Sequence, residues 1–179
     1  MYLKLTEISE DGQNVDQLLK RSWLTEILKG AGSVEFKVVS DQSVAIRVQR
    51  MGLDILVNSN FKLEFDSNCA ACLTKFRLQV PVVFSTTLRP KPKQADMLPQ
   101  DLELAAEDLV EQFYEGDNID LTKILREQII LALPMYPRCK EDCRGLCSAC
   151  GANLNERECG CNRGEIDPRW AALKTVTKN

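Results

Sequence analysis

Eight cysteines and no histidine constrain this 179-residue chain more than any other feature. Eight thiols make four disulfides in a secreted protein, but in a reducing compartment they more often bind metal. The N-terminal segment 1–12 lacks a basic start followed by an apolar run, so a secretory leader is not expected and metal binding is favoured. Without histidine, Ser-His-Asp triads, Cys-His nucleophiles and histidine metal ligands are all excluded.

Six of the cysteines lie close together near the C-terminus, from Cys139 to Cys161. The segment Cys147-Ser-Ala-Cys150-Gly151 is typical of a zinc knuckle, because two intervening residues let both sulfur atoms reach one ion. The glycine after the second cysteine helps the backbone turn its amides toward the thiolates. A second pair must complete the tetrahedron. The candidates are Cys159 with Cys161, whose spacing is unusually tight, and Cys139 with Cys143.

The remaining pair, Cys69-Ala-Ala-Cys72, lies between two segments with strand character. A redox pair usually precedes a helix, so a second knuckle at a hairpin tip is the favoured interpretation. We therefore predict one or two zinc ions in two groups of four. The groups are Cys147, Cys150, Cys159 and Cys161, and Cys69, Cys72, Cys139 and Cys143. An unligated or redox-active Cys69–Cys72 pair and an iron–sulfur cluster are the open alternatives.

Apolar residues alternate with polar ones in several stretches of the first ninety residues. This period of two predicts half-buried strands near residues 34–38, 44–48, 61–65 and 73–88, with Pro81 at an edge or bulge. Short polar connections favour antiparallel pairing. The predicted fold class is therefore α+β: a mostly antiparallel sheet, with barrel-like closure left open, a packed helix and a C-terminal cysteine-rich zinc-binding tail.

Two segments show helical spacing. Leu18, Leu19, Trp23, Ile27 and Leu28 predict a helix over 15–28, and residues 121–132 predict a second helix, which begins after the N-cap Asp120. Asp167-Pro168 predicts a short final helix. We expect an α+β domain over 1–134 and a zinc tail with this helix over 135–179.

Charge is unevenly distributed although the net charge is only −3. No acidic residue occurs between Ser67 and Ala95, whereas residues 101–120 contain eight acids and no base. The acidic stretch is a candidate contact for a basic protein. The acid-free stretch offers candidate RNA phosphate contacts at Lys75, Arg77, Arg89, Lys91 and Lys93.

The order and spacing of these motifs resemble the YceD family of bacterial large-subunit ribosomal RNA accumulation proteins. The resemblance is carried by Cys69-Ala-Ala-Cys72-Leu73, Ile119-Asp-Leu121, the cysteine run 139–151, Asn153-Leu-Asn155, Cys159-Gly-Cys161 and the segment 167–173. It covers roughly residues 55–175. The N-terminal third agrees only in its strand content.

The resemblance implies a cytoplasmic, non-enzymatic factor in large ribosomal subunit biogenesis that supports accumulation of large-subunit ribosomal RNA. Its implied partners are that RNA or its precursor, or a large-subunit ribosomal protein. We expect no membrane association and no small-molecule substrate. Two other functions stay open: a zinc-ribbon adaptor that binds protein without RNA contact, and a thiol redox protein using Cys69 and Cys72.

Overall fold

A computed structural model describes residues 2–29, 35–91 and 111–161. These residues form two compact units. The sheet unit comprises the described residues of 1–67 and 76–135, and the cysteine unit comprises 68–75 with the described residues of 136–179. The predicted final helix lies outside the described residues, and the predicted domain division at 134 and 135 stays a prediction.

The sheet unit contains eight strands and two helices among the described residues. In chain order they are β1 Tyr2–Lys4, β2 Gln13–Leu19, α1 Arg21–Leu28, β3 Phe36–Val38, β4 Gln42–Met51, β5 Asp54–Asn68, β6 Lys75–Pro90, β7 Glu111–Tyr114, β8 Asn118–Asp120 and α2 Leu121–Ala132. A 3-10 turn, Leu5–Glu7, follows β1. The last residue of β5, Asn68, and the first residue of β6, Lys75, belong to the cysteine unit.

The main sheet has the strand order β2-β4-β5-β6-β7, and β3 pairs with β5 beyond the end of β4. β1 and β8 form a separate antiparallel pair. β2 pairs with β4, β3 with β5 and β4 with β5 in antiparallel fashion, whereas in β6 and β7 residues Thr87–Pro90 run parallel to Glu111–Tyr114. The predicted α+β fold with a mostly antiparallel sheet is confirmed. Barrel-like closure is wrong, because β2 and β7 end the strand order and do not pair within the described residues.

Alternation places the apolar residues of the long strands in one core. Ile46, Val48, Ile55 and Phe65 are almost fully buried, while the residues that alternate with the buried ones are half-buried or exposed. Helix α2 adds Leu121, Ile124, Leu125 and Ile129 to this core. Each such side chain contributes roughly 1.5–3 kcal/mol relative to an exposed one, so the sheet unit has a core of its own.

The helix predicted over residues 15–28 is half wrong. Residues up to Leu19 form β2, paired with β4 from Val15↔Ile46 to Leu19↔Gln42, and only Arg21–Leu28 are helical. β2 alternates between half-buried and exposed side chains and ends at the buried Leu19. Pairing to β4 satisfies its backbone groups, and this long-range gain outweighs the local helical spacing.

Candidate metal centres

The cysteine unit holds all eight cysteines, and all eight are free thiols in the structure. Four sulfur atoms within 4.8 Å of one another form site one, which comprises Cys69, Cys72, Cys139 and Cys143. A second group with the same closeness forms site two, which comprises Cys147, Cys150, Cys159 and Cys161. The structure thus brings together the same two groups of four that the sequence predicts.

Site one joins segments that are far apart in the chain. The Cys69 sulfur lies 3.7 Å from that of Cys143, and the Cys72 sulfur lies 3.7 Å from that of Cys139. Cys69 and Cys72 are buried, whereas Cys139 and Cys143 are half-buried. The Ala70 N–H also donates to the Pro137 carbonyl at 2.8 Å, so the two segments are held by backbone as well as by sulfur.

Site two is built from one short segment and is more open. Cys147 is buried, Cys159 and Cys161 are half-buried, and Cys150 is exposed. The loop between Cys150 and Cys159 returns the chain so that the second pair meets the first. The unusually tight spacing of Cys159 and Cys161 is therefore compatible with a four-sulfur arrangement.

The first halves of both sites adopt the same turn. In site one the Cys69 N–H donates to the Thr74 carbonyl at 2.9 Å, and the Leu73 N–H donates to the Cys69 carbonyl at 2.9 Å. In site two the equivalent bonds, both 2.8 Å, run from Cys147 to Ala152 and from Gly151 to Cys147. Hence Cys69-Ala-Ala-Cys72 forms the same turn as the Cys147–Cys150 segment, between β5 and β6, and its role as a zinc knuckle stays a prediction.

Positive φ angles allow these turns. Gly151 follows Cys150 with φ +71°, and Leu73 follows Cys72 with φ +60°. Glycine adopts this left-handed region without strain, but a leucine does not. Gly145 (φ +72°) is also required, because a Cβ there would lie 3.1 Å from the Ala71 carbonyl oxygen.

In site one the pKa values of Cys69, Cys72 and Cys139 shift in opposite directions. Burial raises the pKa of Cys69, but hydrogen bonds from the backbone of Cys139, Cys72 and Ala71 outweigh it and lower the pKa to about 6. Contact with the Thr74 hydroxyl lowers the pKa of Cys72. Burial, together with the neighbouring sulfurs, raises the pKa of Cys139 to about 12.

Site two shows the same division. Backbone N–H groups of Cys150 and Ala149 lower the pKa of Cys147. The backbone N–H group of Cys161 lowers the pKa of Cys159 to about 6. Hydrogen bonding with the Cys150 and Cys159 sulfurs raises the pKa of Cys161 to about 12. Clusters that favour some thiolates and penalise further ones suit a divalent cation, which removes the penalty.

The donor sets fit a structural metal. Four cysteine sulfurs within reach of one point match tetrahedral thiolate coordination of zinc or iron, and carboxylates take no part in either group. With all four positions supplied by the protein, neither site has the open position that catalytic zinc needs. Either site can therefore bind an ion, and the bound ion would stabilise the turns that carry the cysteines.

Most of the predicted phosphate contacts are engaged with acids. Arg77 lies 2.9 Å from Asp66 and 3.8 Å from Glu64, Arg89 lies 3.5 Å from Asp54, and Lys91 lies 2.6 Å from Glu115. Lys75 is exposed, and Lys93 lies outside the described residues. Exposed pairs contribute only about 0–1 kcal/mol, so they can open, but the acids reduce the positive potential of this stretch.

Sequence reasoning missed the polar side chains that contact the sulfurs. The Thr74 hydroxyl lies 3.4 Å from the Cys72 sulfur, and the Asn155 amide donates to the Cys143 sulfur at 3.4 Å. The Asn153-Leu-Asn155 motif is visible in the sequence, but nothing in its spacing indicates that Asn155 contacts a cysteine twelve residues away.

The family model described as large ribosomal RNA subunit accumulation protein YceD matches residues 57–177, which include all eight cysteines. Uncharacterized proteins of Mycobacterium tuberculosis and Mycobacterium leprae are 32% and 33% identical over 128 residues, or 72% of this chain. These matches span 58% and 55% of the relatives, so the chain covers under three fifths of their length.

An Arabidopsis thaliana protein named large ribosomal RNA subunit accumulation protein YCED homolog 1, chloroplastic, is 39% identical over 59 residues. This match covers 33% of the chain and 18% of the plant protein. No solved structure matches the chain. None of the helices in the described ranges is long and apolar enough to cross a membrane.

Proposed function

The chain belongs to the YceD family of large ribosomal RNA subunit accumulation proteins, and from this membership we propose that it is a non-enzymatic factor in large ribosomal subunit biogenesis. It supports the accumulation of large-subunit ribosomal RNA. The observation that carries the proposal is the family match itself, which spans residues 57–177 and with them both cysteine sites. The role implies action where the large subunit is assembled, the cytoplasm in a bacterium.

In this proposal each cysteine site binds one zinc ion, and the ions stabilise the cysteine unit. Bound zinc supplies a cation that all four thiolates of a site share. Buried Cys69 and Cys72 hold site one at the connection between β5 and β6, while the Cys150 edge of site two faces solvent. Support comes from the two groups of four sulfurs, the shared knuckle turn and the lowered pKa values of Cys69 and Cys159.

RNA contact, in this proposal, would be made by Lys75, Arg77, Arg89, Lys91 and Lys93. Ion pairs with Asp66, Asp54 and Glu115 favour the second candidate, a zinc-ribbon adaptor that acts on a large-subunit ribosomal protein. The salt dependence of binding distinguishes the RNA-binding factor from the protein-binding adaptor. RNA binding through phosphates weakens steeply as salt rises, in proportion to the number of phosphates neutralised.

The test of the function is depletion of the chain in its own organism followed by complementation. The readouts are the ratio of large- to small-subunit ribosomal RNA and the amount of free large subunit on a sucrose gradient. The expected result is a lower ratio on depletion, restored by the complete chain. An unchanged ratio would contradict the proposal.

A single variant tests zinc site one and the thiol redox alternative together. We expect Cys69→Ser to reduce bound zinc from two ions to one and to weaken complementation. The matched control is Ser148→Ala, which alters a residue between Cys147 and Cys150 that is not a ligand. A Cys69→Ser protein that keeps two zinc ions and full complementation would exclude both a ligand role and a redox role for Cys69.

A further inference from the structure

The loop between the two cysteine pairs of site two lies alongside the segment that joins the two sites. Residues 152–155 run antiparallel to 144–147, with Leu146 paired to Asn153. The Cys147 N–H donates to the Ala152 carbonyl at 2.8 Å, and the Leu154 N–H donates to the Gly145 carbonyl at 2.9 Å. Site two therefore anchors both ends of a loop whose middle reaches toward Cys143.

Asn155 makes the contact with site one. Its Oδ1 accepts from the Arg144 backbone N–H at 2.9 Å, and its Nδ2 donates to the Cys143 sulfur at 3.4 Å. The backbone N–H requires an oxygen opposite it, so the amide orientation is fixed and an N–H group points at the sulfur. Nδ2 also donates to the Asn153 Oδ1 at 3.0 Å, which holds the side chain in place.

A second path runs through Asn153. Its Nδ2 lies 3.4 Å from the Thr74 Oγ1, and that oxygen lies 3.4 Å from the Cys72 sulfur. Through these two asparagines the loop of site two reaches two of the four sulfur atoms of site one.

Hydrogen bonds rather than apolar burial order the loop: besides the bonds above, the Glu156 and Arg157 N–H groups both donate to the Asn153 carbonyl at 3.2 Å. Of residues 151–158 only Leu154 is buried, and the others are half-buried or exposed. Hydrogen bonds exposed to solvent open easily, so the conformation of the loop depends also on its anchored ends. Those ends are the ligands Cys150 and Cys159.

We propose that site two sets the metal affinity of site one, with Asn155 as the positioning residue between them. A metal ion at site two orders the loop, and the ordered loop holds the Asn155 amide against the Cys143 sulfur. Four thiolates with one divalent ion keep a formal charge of −2, which an N–H donor stabilises. This inference rests on the proposed binding of metal at both sites. Because coupling is reciprocal, site one also strengthens site two.

The test is a titration of the complete chain with Co²⁺ under reducing conditions, followed by the thiolate-to-cobalt charge-transfer band. A Cys69→Ser/Cys72→Ser variant gives the affinity of site two alone, so the two-step titration yields that of site one. Asn155→Asp keeps the oxygen that accepts from Arg144 but loses the donor to Cys143. We expect it to weaken site one about tenfold, as substitutions next to metal ligands typically do.

The same substitution is then made in a Cys147→Ser/Cys150→Ser background, where site two is disabled. There we expect site one to be weaker from the start and Asn155→Asp to change its affinity by less than about twofold, as a double-mutant cycle requires of a coupled pair. Asn68→Asp is the matched control. It places the same charge beside Cys69 in sequence, with no sulfur contact among the described residues, and should act equally in both backgrounds.

Equal effects of Asn155→Asp in the two backgrounds, or no effect in the complete chain, would overturn the coupling. Failure of the premise gives a different result: an unaltered chain that shows no thiolate-to-cobalt band lacks the metal sites themselves. If two equivalents of Co²⁺ bind per chain with independent affinities, the two-site proposal stands and only the coupling is refuted.

Discussion

At the residue scale, the two knuckles place different residues at the same backbone position. Leu73 and Gly151 each follow the second cysteine, have φ angles of +60° and +71°, and donate to the carbonyl of the first cysteine. A leucine in the left-handed region costs roughly 1–2 kcal/mol, and glycine avoids most of this cost. Leu73 is 64% exposed, so burial of its side chain contributes little stabilising free energy. Site one is therefore built on a strained turn.

This strain predicts a stabilising substitution. Leu73→Gly should increase the free energy of unfolding of the zinc-loaded protein by about 0.5–1 kcal/mol, since the entropy of an added glycine offsets part of the relieved strain. Denaturant unfolding of the loaded protein measures it. The reciprocal control is Gly151→Ala, where no atom would contact the new Cβ within 4 Å. It should cost about 1 kcal/mol through backbone strain alone. A destabilising Leu73→Gly would show that the leucine side chain has a packing role.

The divided pKa values predict an order of reactivity in the reduced protein from which zinc has been withdrawn, for as long as the folded turn of site two persists. Cys159, with a pKa of about 6, is mostly thiolate at neutral pH, whereas Cys161, with a pKa of about 12, is a thiol. Both are half-buried, so ionisation rather than access decides. Iodoacetamide should label Cys159 at least about tenfold faster than Cys161, because the thiolate is the nucleophile.

The pH dependence has a definite sign. The Cys159 rate should fall about tenfold as pH drops from 7 to 5 through its pKa, while that of Cys161 should rise only in strong alkali. Peptide mass spectrometry at timed intervals measures both rates. Equal labelling while the Gly151 amide is still protected from hydrogen exchange would contradict the hydrogen bonds from the Cys161 backbone to Cys159.

At the element scale, helix α2 depends on its first residue. The Asp120 carboxylate accepts from the backbone N–H groups of Thr122 and Lys123 at 3.0 and 3.4 Å. Asp120→Ala should therefore lower the free energy of unfolding by about 1 kcal/mol. The nearby Asp117→Ala, which removes an exposed carboxylate just before β8, should change it by under about 0.5 kcal/mol. Thermal unfolding of both variants tests this, and equal losses would contradict the capping role.

The sequence predicts α2 and the central strands because local signals and tertiary packing agree there. Asp120 begins the helix, and the periodic apolar residues Leu121, Leu125 and Ile129 are those that the core buries. At β2 the two disagree. Val15–Leu19, which were expected to be helical, form a strand because β4 offers a backbone partner for all seven residues of β2. A single sequence does not contain that information, since the partner lies about thirty residues away.

The sequence also does not predict which side chains make hydrogen bonds to the backbone where the pairing of two strands ends. The paired residues of β4 and β5 extend only to Ile46 and Ser59. Beyond that point Gln42 makes two hydrogen bonds to the Glu64 backbone, and the Ser59 hydroxyl donates to the Ala45 carbonyl. Such bonds let β5 leave β4 and pair with β3. Alternation predicts which face of a strand is buried, but it does not predict where two strands separate.

At the scale of the whole molecule, the chain combines two ways of stabilising a fold. The buried cluster of the sheet unit, from Ile8 to Ile129, contains no cysteine. Among the described residues of the cysteine unit, Leu154 is the only large aliphatic side chain that is buried. A segment with so small an apolar core needs a metal or another staple to fold. The sequence predicts this role for the eight cysteines because a soft, four-sulfur site requires little beyond its ligands.

Metal removal should therefore unfold one unit and spare the other. We expect a strong chelator to remove hydrogen-exchange protection from the amides of Cys69, Leu73, Cys147 and Gly151, which bond to carbonyls within the two knuckles. Amides of the sheet unit, such as that of Ile46 in β4, should keep their protection because their core is independent of the cysteines. Adding back one equivalent of zinc per site should restore the knuckles.

The control for that experiment is the chelator applied to the Cys69→Ser/Cys72→Ser variant, where only site two can lose metal. There the amides of Cys147 and Gly151 should lose protection on chelation, whereas the Cys69 turn should be unprotected before the chelator is added. Simultaneous loss of protection in β4 would instead mean that the sheet unit needs the metal-bound connection between β5 and β6. Retained protection in both knuckles would mean that hydrogen bonds such as Gly151 to Cys147 hold the turns without metal.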